Sequence, residues 1–595
     1  MKRCPECRRD YYDDTLLYCL DDGNALLEGP ASANEPATAI LSEFGVPSLG
    51  DSSSESPTRA QIHTTDQTVI FPRGAEAKPQ GSLGEHSERQ SLSAHRAVEL
   101  QSKRNKLLAI FGVAVLLLVG AFFAYRYFKP AASGQINSLA VLPLVNQSGS
   151  ADTDYLSDGL AESLIYRLSQ LPNLKVSSAS SVMRYKGQVF DVKKVAVELG
   201  VQAVLSGRFI QRGDNMSISI ELIDAATNNT LWGEQYERKQ SDLLTTQREI
   251  ATTIAEKLQL KLVGADTKGI TKRYTESNEA YQLYLKGRFN WNKRTAEGLN
   301  NAIESYRQAI DKDPGFALAY AGLADTYIII GAYGSISPTE AMPQAKAAAL
   351  KAIEIDNTLA EPHAALGAYY GSYAFDSESA EREYRRSTEL NPNYATAWHW
   401  MGNFLPEIGK NDEAITAANR AEELDPLSAI ISADTGFDMI LLRRYDDAIE
   451  QAKHTFTIDP NFWYAHYILG VAYDLKGMHA EAIAELRKSV EINPFMVTKA
   501  RLSAALAHAG QRAEGRSLVN DLAQNTGGGY TQGYYLAIAQ LALGDKDAAF
   551  ASLDRDLRER GIYMQWMRVN PEFDGLRDDP RFGELVRRMA EMKLQ

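Results

Sequence analysis

The sequence predicts a multidomain chain of mixed class: a small metal-held knuckle, a disordered linker, one transmembrane helix, an α+β domain and an all-α solenoid. Three observations carry this prediction. Leu107 to Tyr125, LLAIFGVAVLLLVGAFFAY, is a stretch of 19 residues without a charge in an otherwise polar chain. From Asn137 to about Leu262, strand and helix patterns alternate. Beyond Lys272 the pattern is helical, and Pro392, Pro426, Pro460 and Pro494 each follow the last by 34 residues.

The totals limit the functions available. A chain of 595 residues holds several domains. A formal charge of −13 without a long Lys/Arg tract argues against a nucleic-acid surface as its main business. The three cysteines all precede residue 20, too few for a disulfide-built exterior.

Residues 1–29 form the knuckle. Cys4 and Cys7 stand in C-P-x-C, a turn that aims two thiolates at one point, and Cys19 follows. Asp22 occupies the place where a second C-x-x-C would end, with Asp21 the weaker alternative. Three cysteines and a carboxylate satisfy tetrahedral Zn2+, which would supply the folding energy that so small a unit lacks. The stretch resembles the short zinc-ribbon segments that open many bacterial membrane proteins. Residues 30–104 are rich in Ser, Pro, Gly and Ala without hydrophobic period and are expected to be disordered. Within them Thr38 and Thr68 lie in two similar apolar islands, read as chance features of a tether rather than modification sites.

The segment 105–128 is expected to cross a membrane, since roughly 20 apolar residues span the hydrocarbon core. Arg89, Arg96, Lys103, Arg104 and Lys106 precede it, and only Arg126 and Lys129 follow closely. That bias implies a cytoplasmic N-terminus and extracytoplasmic C-terminal domains, with the helix as an uncleaved anchor.

Residues 137–264 read as three helices on a mixed sheet. Leu139 to Leu144 is a continuous apolar run, as in a buried strand. Helices are expected over Tyr155–Leu171, Val192–Leu199 (ended by Gly200) and Ser241 to about Leu262. Strands are expected at Leu174–Ser178, Ala203–Arg212, Asn215–Asp224 and Thr230–Glu237. Asp158 and Glu162 are read as acidic residues that offset the positive end of their helix, and Gly159 as a packing glycine. Leu139–Pro143, Tyr155–Leu160, Leu199–Val201 with Leu205–Gly207, and Leu231-Trp232 resemble the N-terminal domain of the periplasmic protein TolB and its relatives. The resemblance implies a non-catalytic module.

Residues 276–595 form the solenoid. Each proline closes a helix, because proline lacks a donor and restricts the residue before it. Between Pro314 and Asn357 the spacing widens to 43 residues, placing an insertion at Gly331 to Ser337. Leu469, Gly470, Tyr473, Ala482, Leu486 and Pro494, and likewise Trp398, Gly402, Ala414, Ala421 and Pro426, resemble the tetratricopeptide repeat. The resemblance implies seven or eight repeats, with Pro571 to Leu594 as an end cap. It also implies a groove for protein or peptide partners, lined by the first helix of each pair. On that face fall His399, Asn403, Phe437, Tyr464, Tyr467 and Asp474, and Pro406 is placed to bend it.

No phosphate-binding loop, kinase motif, nucleophile elbow or His pair at ligand spacing occurs, so the chain reads as no enzyme. The whole arrangement resembles bacterial inner-membrane proteins with an envelope-facing TolB-like and tetratricopeptide surface. The expected function is a membrane-anchored interaction scaffold or sensor. A transmembrane signalling or transcription regulator with the knuckle as cytoplasmic output is the alternative.

Overall fold

A computed structural model describes residues 2–3, 10–11, 27–28 and 136–592, apart from 149–152, 172, 259, 261–268, 334 and 525–531. The chain divides into two units, Met1–Val113 and Ala114–Gln595. In the first, strands Lys2–Arg3, Asp10–Tyr11 and Leu27–Glu28 pair antiparallel, with Lys2–Arg3 in the middle. Cys4, Cys7, Cys19 and Asp22, the linker 30–104 with Thr38 and Thr68, and the break at Gly527–Gly529 lie outside the described residues.

The segment 105–128 also lies outside them, and among the described residues no helix is long and apolar enough to cross a membrane. Ala317–Ala332, a strongly apolar helix, has 16 residues and carries Asp325 in its middle, short of the roughly 20 a span requires. The expected single-pass placement in a bacterial inner membrane is corrected on this finding.

The second unit opens with an α/β domain. Its sheet runs in the order Lys175–Val176, Ser138–Val141, Ala203–Arg212, Asn215–Asp224, Thr230–Lys239. The first two pairings are parallel and the last two antiparallel. Leu139, Ala140 and Val141 are fully buried, which explains their unbroken apolar run. Met216, Ile218, Ile220 and Leu222 alternate inward on Asn215–Asp224 as period two requires. Helix Val192–Leu199 begins under the Asp191 carboxylate and ends at Gly200 in the left-handed region, φ 61°. The expected strand Leu139–Leu144 is two short ones, Ser138–Val141 and Val145–Asn146, because Pro143 cannot donate to a ladder.

Eight helix pairs follow among the described residues, from Asn278–Asn292 with Ala296–Lys312 to Gly533–Ala542 with Lys546–Arg558. Within a pair the helices touch through small residues. At Gly470 a Cβ would lie 2.6 Å from Leu486 Cγ, so only glycine admits the neighbouring helix. The wide spacing before Asn357 is spread over a longer pair, Ala317–Ala332 and Pro338–Ile355, rather than held in one inserted loop. Pro406 turns the end of helix Ala395–Phe404 into a 3-10 segment, Leu405–Ile408. Beyond the last pair, helix Pro580–Glu591 caps the array by burying Phe582, Leu585 and Met589 in its core.

Candidate functional site

The α/β domain packs directly on the repeats. Helix Asp154–Ser169 lies against Asn278–Asn292 so closely that a Cβ on Gly159 would be 2.9 Å from Leu285 Cβ. One apolar core runs from the sheet through Tyr281 and Leu285 to Phe316 and Leu359. Asp158 and Glu162 are buried in this region, which corrects their reading as dipole partners. Lys186 Nζ donates to Asp158 at 2.7 Å, and Arg288 Nε donates to Glu162 at 2.6 Å. Two buried carboxylates thus meet two cations, one from within the domain and one from the first repeat.

Polar contacts continue along the array. Ser181 Oγ donates to Asp425 at 2.5 Å and accepts from the Leu427 amide at 2.9 Å. Asn393 Nδ2 donates to the carbonyls of Ser169 and Leu174, both at 3.1 Å. Arg184 reaches the Ile458 carbonyl at 2.8 Å. The domain is therefore held by the first repeats and again by the middle ones.

From the other end, the chain turns back. Two 3-10 segments, Ile562–Arg568 and Pro571–Leu576, cross to helices far earlier in sequence. The Tyr563 hydroxyl donates to the Ala332 carbonyl and Trp566 Nε1 to the Asn403 carbonyl, each at 3.0 Å. The Trp566 ring meets Phe437 edge-on with centroids 4.9 Å apart. Arg443 forms a two-pronged pair with Asp574 at 2.6 and 2.8 Å. We call residues 560–577 the closing segment.

Between the domain, the repeats and the closing segment lies a cavity of about 1220 Å³. Tyrosine and tryptophan rings form much of its wall, among them Tyr284, Trp291, Tyr394, Trp400, Tyr464 and Tyr563. Two of its carboxylates stand apart. Asp325 is 1% exposed; one oxygen meets only the Tyr394 hydroxyl, at 3.4 Å, and the other has no partner. Glu361 is 9% exposed, and Oε2 has no partner. Burial pushes both carboxyl groups up to about 7 against the opposing charge of Arg288, and for Asp325 the charge of Glu361 adds to the rise.

The residues expected to bind a partner divide here. His399, Asn403 and Tyr464 do line the cavity. His399 Nε2 lies 2.8 Å from Asp434 Oδ2, and Tyr464 stacks on Tyr467 at 5.3 Å. Phe437 and Tyr467 are 2% and 1% exposed, so they are packing residues and offer no contact area, a correction to their expected role. The Trp566 ring of the closing segment covers Phe437, and Trp463, Tyr464 and Arg501 enclose Tyr467. Asp474 is taken by two histidines, His479 Nδ1 at 2.8 Å and His508 Nδ1 at 2.9 Å. The ligand atoms of these three lie within 4.8 Å of one another, a spacing able to hold a metal ion. The fold makes this His pair from residues far apart in sequence, which ligand spacing along the chain could not reveal. Asp325, Glu361, Tyr563 and Trp566 belong to no motif in the sequence, although a lone carboxylate inside ALAYAGLADTYIIIGA is a legible signal.

Family models match parts of both regions. Residues 135–253 match the HilA/YgeH-like transcriptional regulator family, second domain, where the residues alone resemble TolB. Residues 383–416 and 442–497 match the tetratricopeptide repeat. Fold and matches together define the class: an α/β domain joined to an array of tetratricopeptide repeats. "Putative adenylate cyclase 3" of Rhizobium meliloti is 32% identical over 231 residues, 38% of this chain and 39% of its own length. Transcriptional regulator HilA of Salmonella typhimurium is 25% identical over 335 residues, 54% of this chain and 56% of its own. The chain thus spans about half or less of the length of these relatives. The crystal structure of YrrB, a tetratricopeptide protein, overlays 35% of this chain and all of its own at 21% identity, with a TM-score of 0.25.

Proposed function

We propose that this chain is a non-enzymatic regulator that acts as a protein-interaction scaffold, with its own closing segment lying where a partner would dock. The observation that carries the reading is the tetratricopeptide array whose inner-face residues Asn403 and Phe437 are already engaged by Trp566. Arrays of this kind bind extended or helical segments, and a segment of the same chain is a competitor at very high effective concentration. The regulatory part of the reading draws on the name of HilA, and the non-enzymatic part on the scaffold fold, although one relative is named for a cyclase. Partner capture tests it. In a cross-linking pull-down with the full chain, Tyr563→Ala with Trp566→Ala is expected to enrich a reproducible polypeptide several-fold over the wild type. Equal capture by both, or none by either, would place recognition elsewhere.

The knuckle enters this proposal as a structural Zn2+ site through Cys4, Cys7, Cys19 and Asp22, and as an output module. The reading rests on ligand type and spacing. Elemental analysis of the full chain is expected to give a zinc that chelator-washed Cys7→Ser protein lacks. Retention of that zinc in the variant would refute the assignment.

A further inference from the structure

The cavity does not have the composition of packing left over between domains. Five carboxylates and three arginines, with no lysine among its described residues, line the space. Of the arginines, Arg288 is committed to Glu162, and Arg167 donates to the carbonyls of Ile270 and Lys272 at 2.8 and 2.9 Å. Arg294 places Cζ over the Trp291 ring, 3.5 Å from its centroid. Of the carboxylates, Asp425 is held by serine hydroxyls and Asp434 by His399. Asp325 and Glu361 are left, each buried and each with an oxygen that no donor reaches.

A carboxylate on an otherwise apolar helix is costly, since burying an unpaired charge costs several kcal/mol or forces protonation. A protein keeps such a group readily where it meets something absent from the folded chain alone. The surroundings state what that is. Tyr394 lies against Asp325, and the Tyr284 ring lines the same space. Unpaired carboxylates among aromatic faces complement an ammonium carried on an apolar or aromatic body, through charge-assisted hydrogen bonds and cation–π contact. At about 1220 Å³ the space exceeds the ~300–1,000 Å³ usual for small-molecule sites. It admits a free amine or the side chain of an inserted lysine.

We propose that the cavity between the α/β domain and the repeats is a binding site for an organic ammonium group, with Asp325 and Glu361 as its anionic anchors. This goes beyond the scaffold reading, and its test requires no protein partner. Tyramine serves as the free amine, 4-hydroxyphenylacetate as a probe of like shape and opposite charge, and N-acetyl-Gly-Lys-Gly-amide as the peptide-borne ammonium. Titration calorimetry with the full chain at pH 8 is expected to show binding of at least one ammonium probe and not of the acid. That binding should weaken tenfold or more in Asp325→Asn and in Glu361→Gln, both of which keep side-chain size and a folded circular dichroism spectrum. Binding of tyramine alone assigns the site to free amines, and binding of the peptide alone assigns it to a lysine. Absence of binding by both, equal binding of the acid, or affinity unchanged in both variants overturns the proposal.

Discussion

Tyr563→Ala with Trp566→Ala is expected to cost roughly 3–5 kcal/mol of stability, about what one large core aromatic contributes, because both rings are half-buried. The hydrogen bonds to the Ala332 and Asn403 carbonyls disappear, and so do the ring contacts of Trp566 with Phe437 at 4.9 Å and of Tyr563 with Tyr535 at 5.0 Å. Met564 and Met567 remain in the core of the last repeat, so the tail stays attached while its crossing is lost. Urea unfolding and limited proteolysis check this. The variant should unfold at lower urea and be cut first between residues 560 and 577. A change under about 0.5 kcal/mol would mean that the crossing contributes nothing.

Asp325→Asn should act in the opposite direction and depend on pH. The folded protein holds the Asp325 proton up to about pH 7, whereas the unfolded chain releases it near 3.8. The folded state therefore binds more proton between these values, and stability falls as pH rises from about 4 to 7. Above 7 the full cost is present. Holding the proton up to about 7 rather than near 3.8 sets a ceiling of roughly 4 kcal/mol. Asparagine carries no such cost, so the variant should be more stable than wild type by about 2–4 kcal/mol at pH 8, with a smaller gain at pH 5. Urea unfolding at the two pH values measures it, and a variant less stable than wild type at pH 8 would contradict the assignment.

These two cases also mark the limit of what the sequence reveals. Elements governed by local chemistry were legible. The 34-residue proline spacing located the repeats, Gly200 ended its helix, and alternation along Met216–Leu222 gave the buried sheet face. Gly159 reads as a packing glycine and Gly470 falls in the repeat pattern, and both meet a neighbouring helix as small residues at helix contacts do. What depended on long-range placement was not legible. Phe437 and Tyr467 sit at groove positions of their helices, but Trp566 covers Phe437 from outside the repeat pattern and Arg501 of the next repeat reaches the Tyr467 hydroxyl. Asp158 and Glu162 looked like helix-end acids until Lys186 and Arg288 arrived from other elements. His479 and His508 converge on Asp474 only through the stacking of successive repeats.

The closing segment walls one side of the cavity through Ile562, Tyr563 and Trp566, and in the proposed function it sets the condition for partner entry. A photoreactive benzoylphenylalanine at position 563 of the full chain tests it most directly. Irradiation of dilute protein is expected to give an intramolecular cross-link to the end of helix Ala317–Ala332, whose last carbonyl accepts the Tyr563 hydroxyl. Proteolytic mapping would identify that peptide. Cross-links confined to neighbouring residues of the tail, or formed only between two chains, would show that the segment does not cross the repeats and would contradict the account.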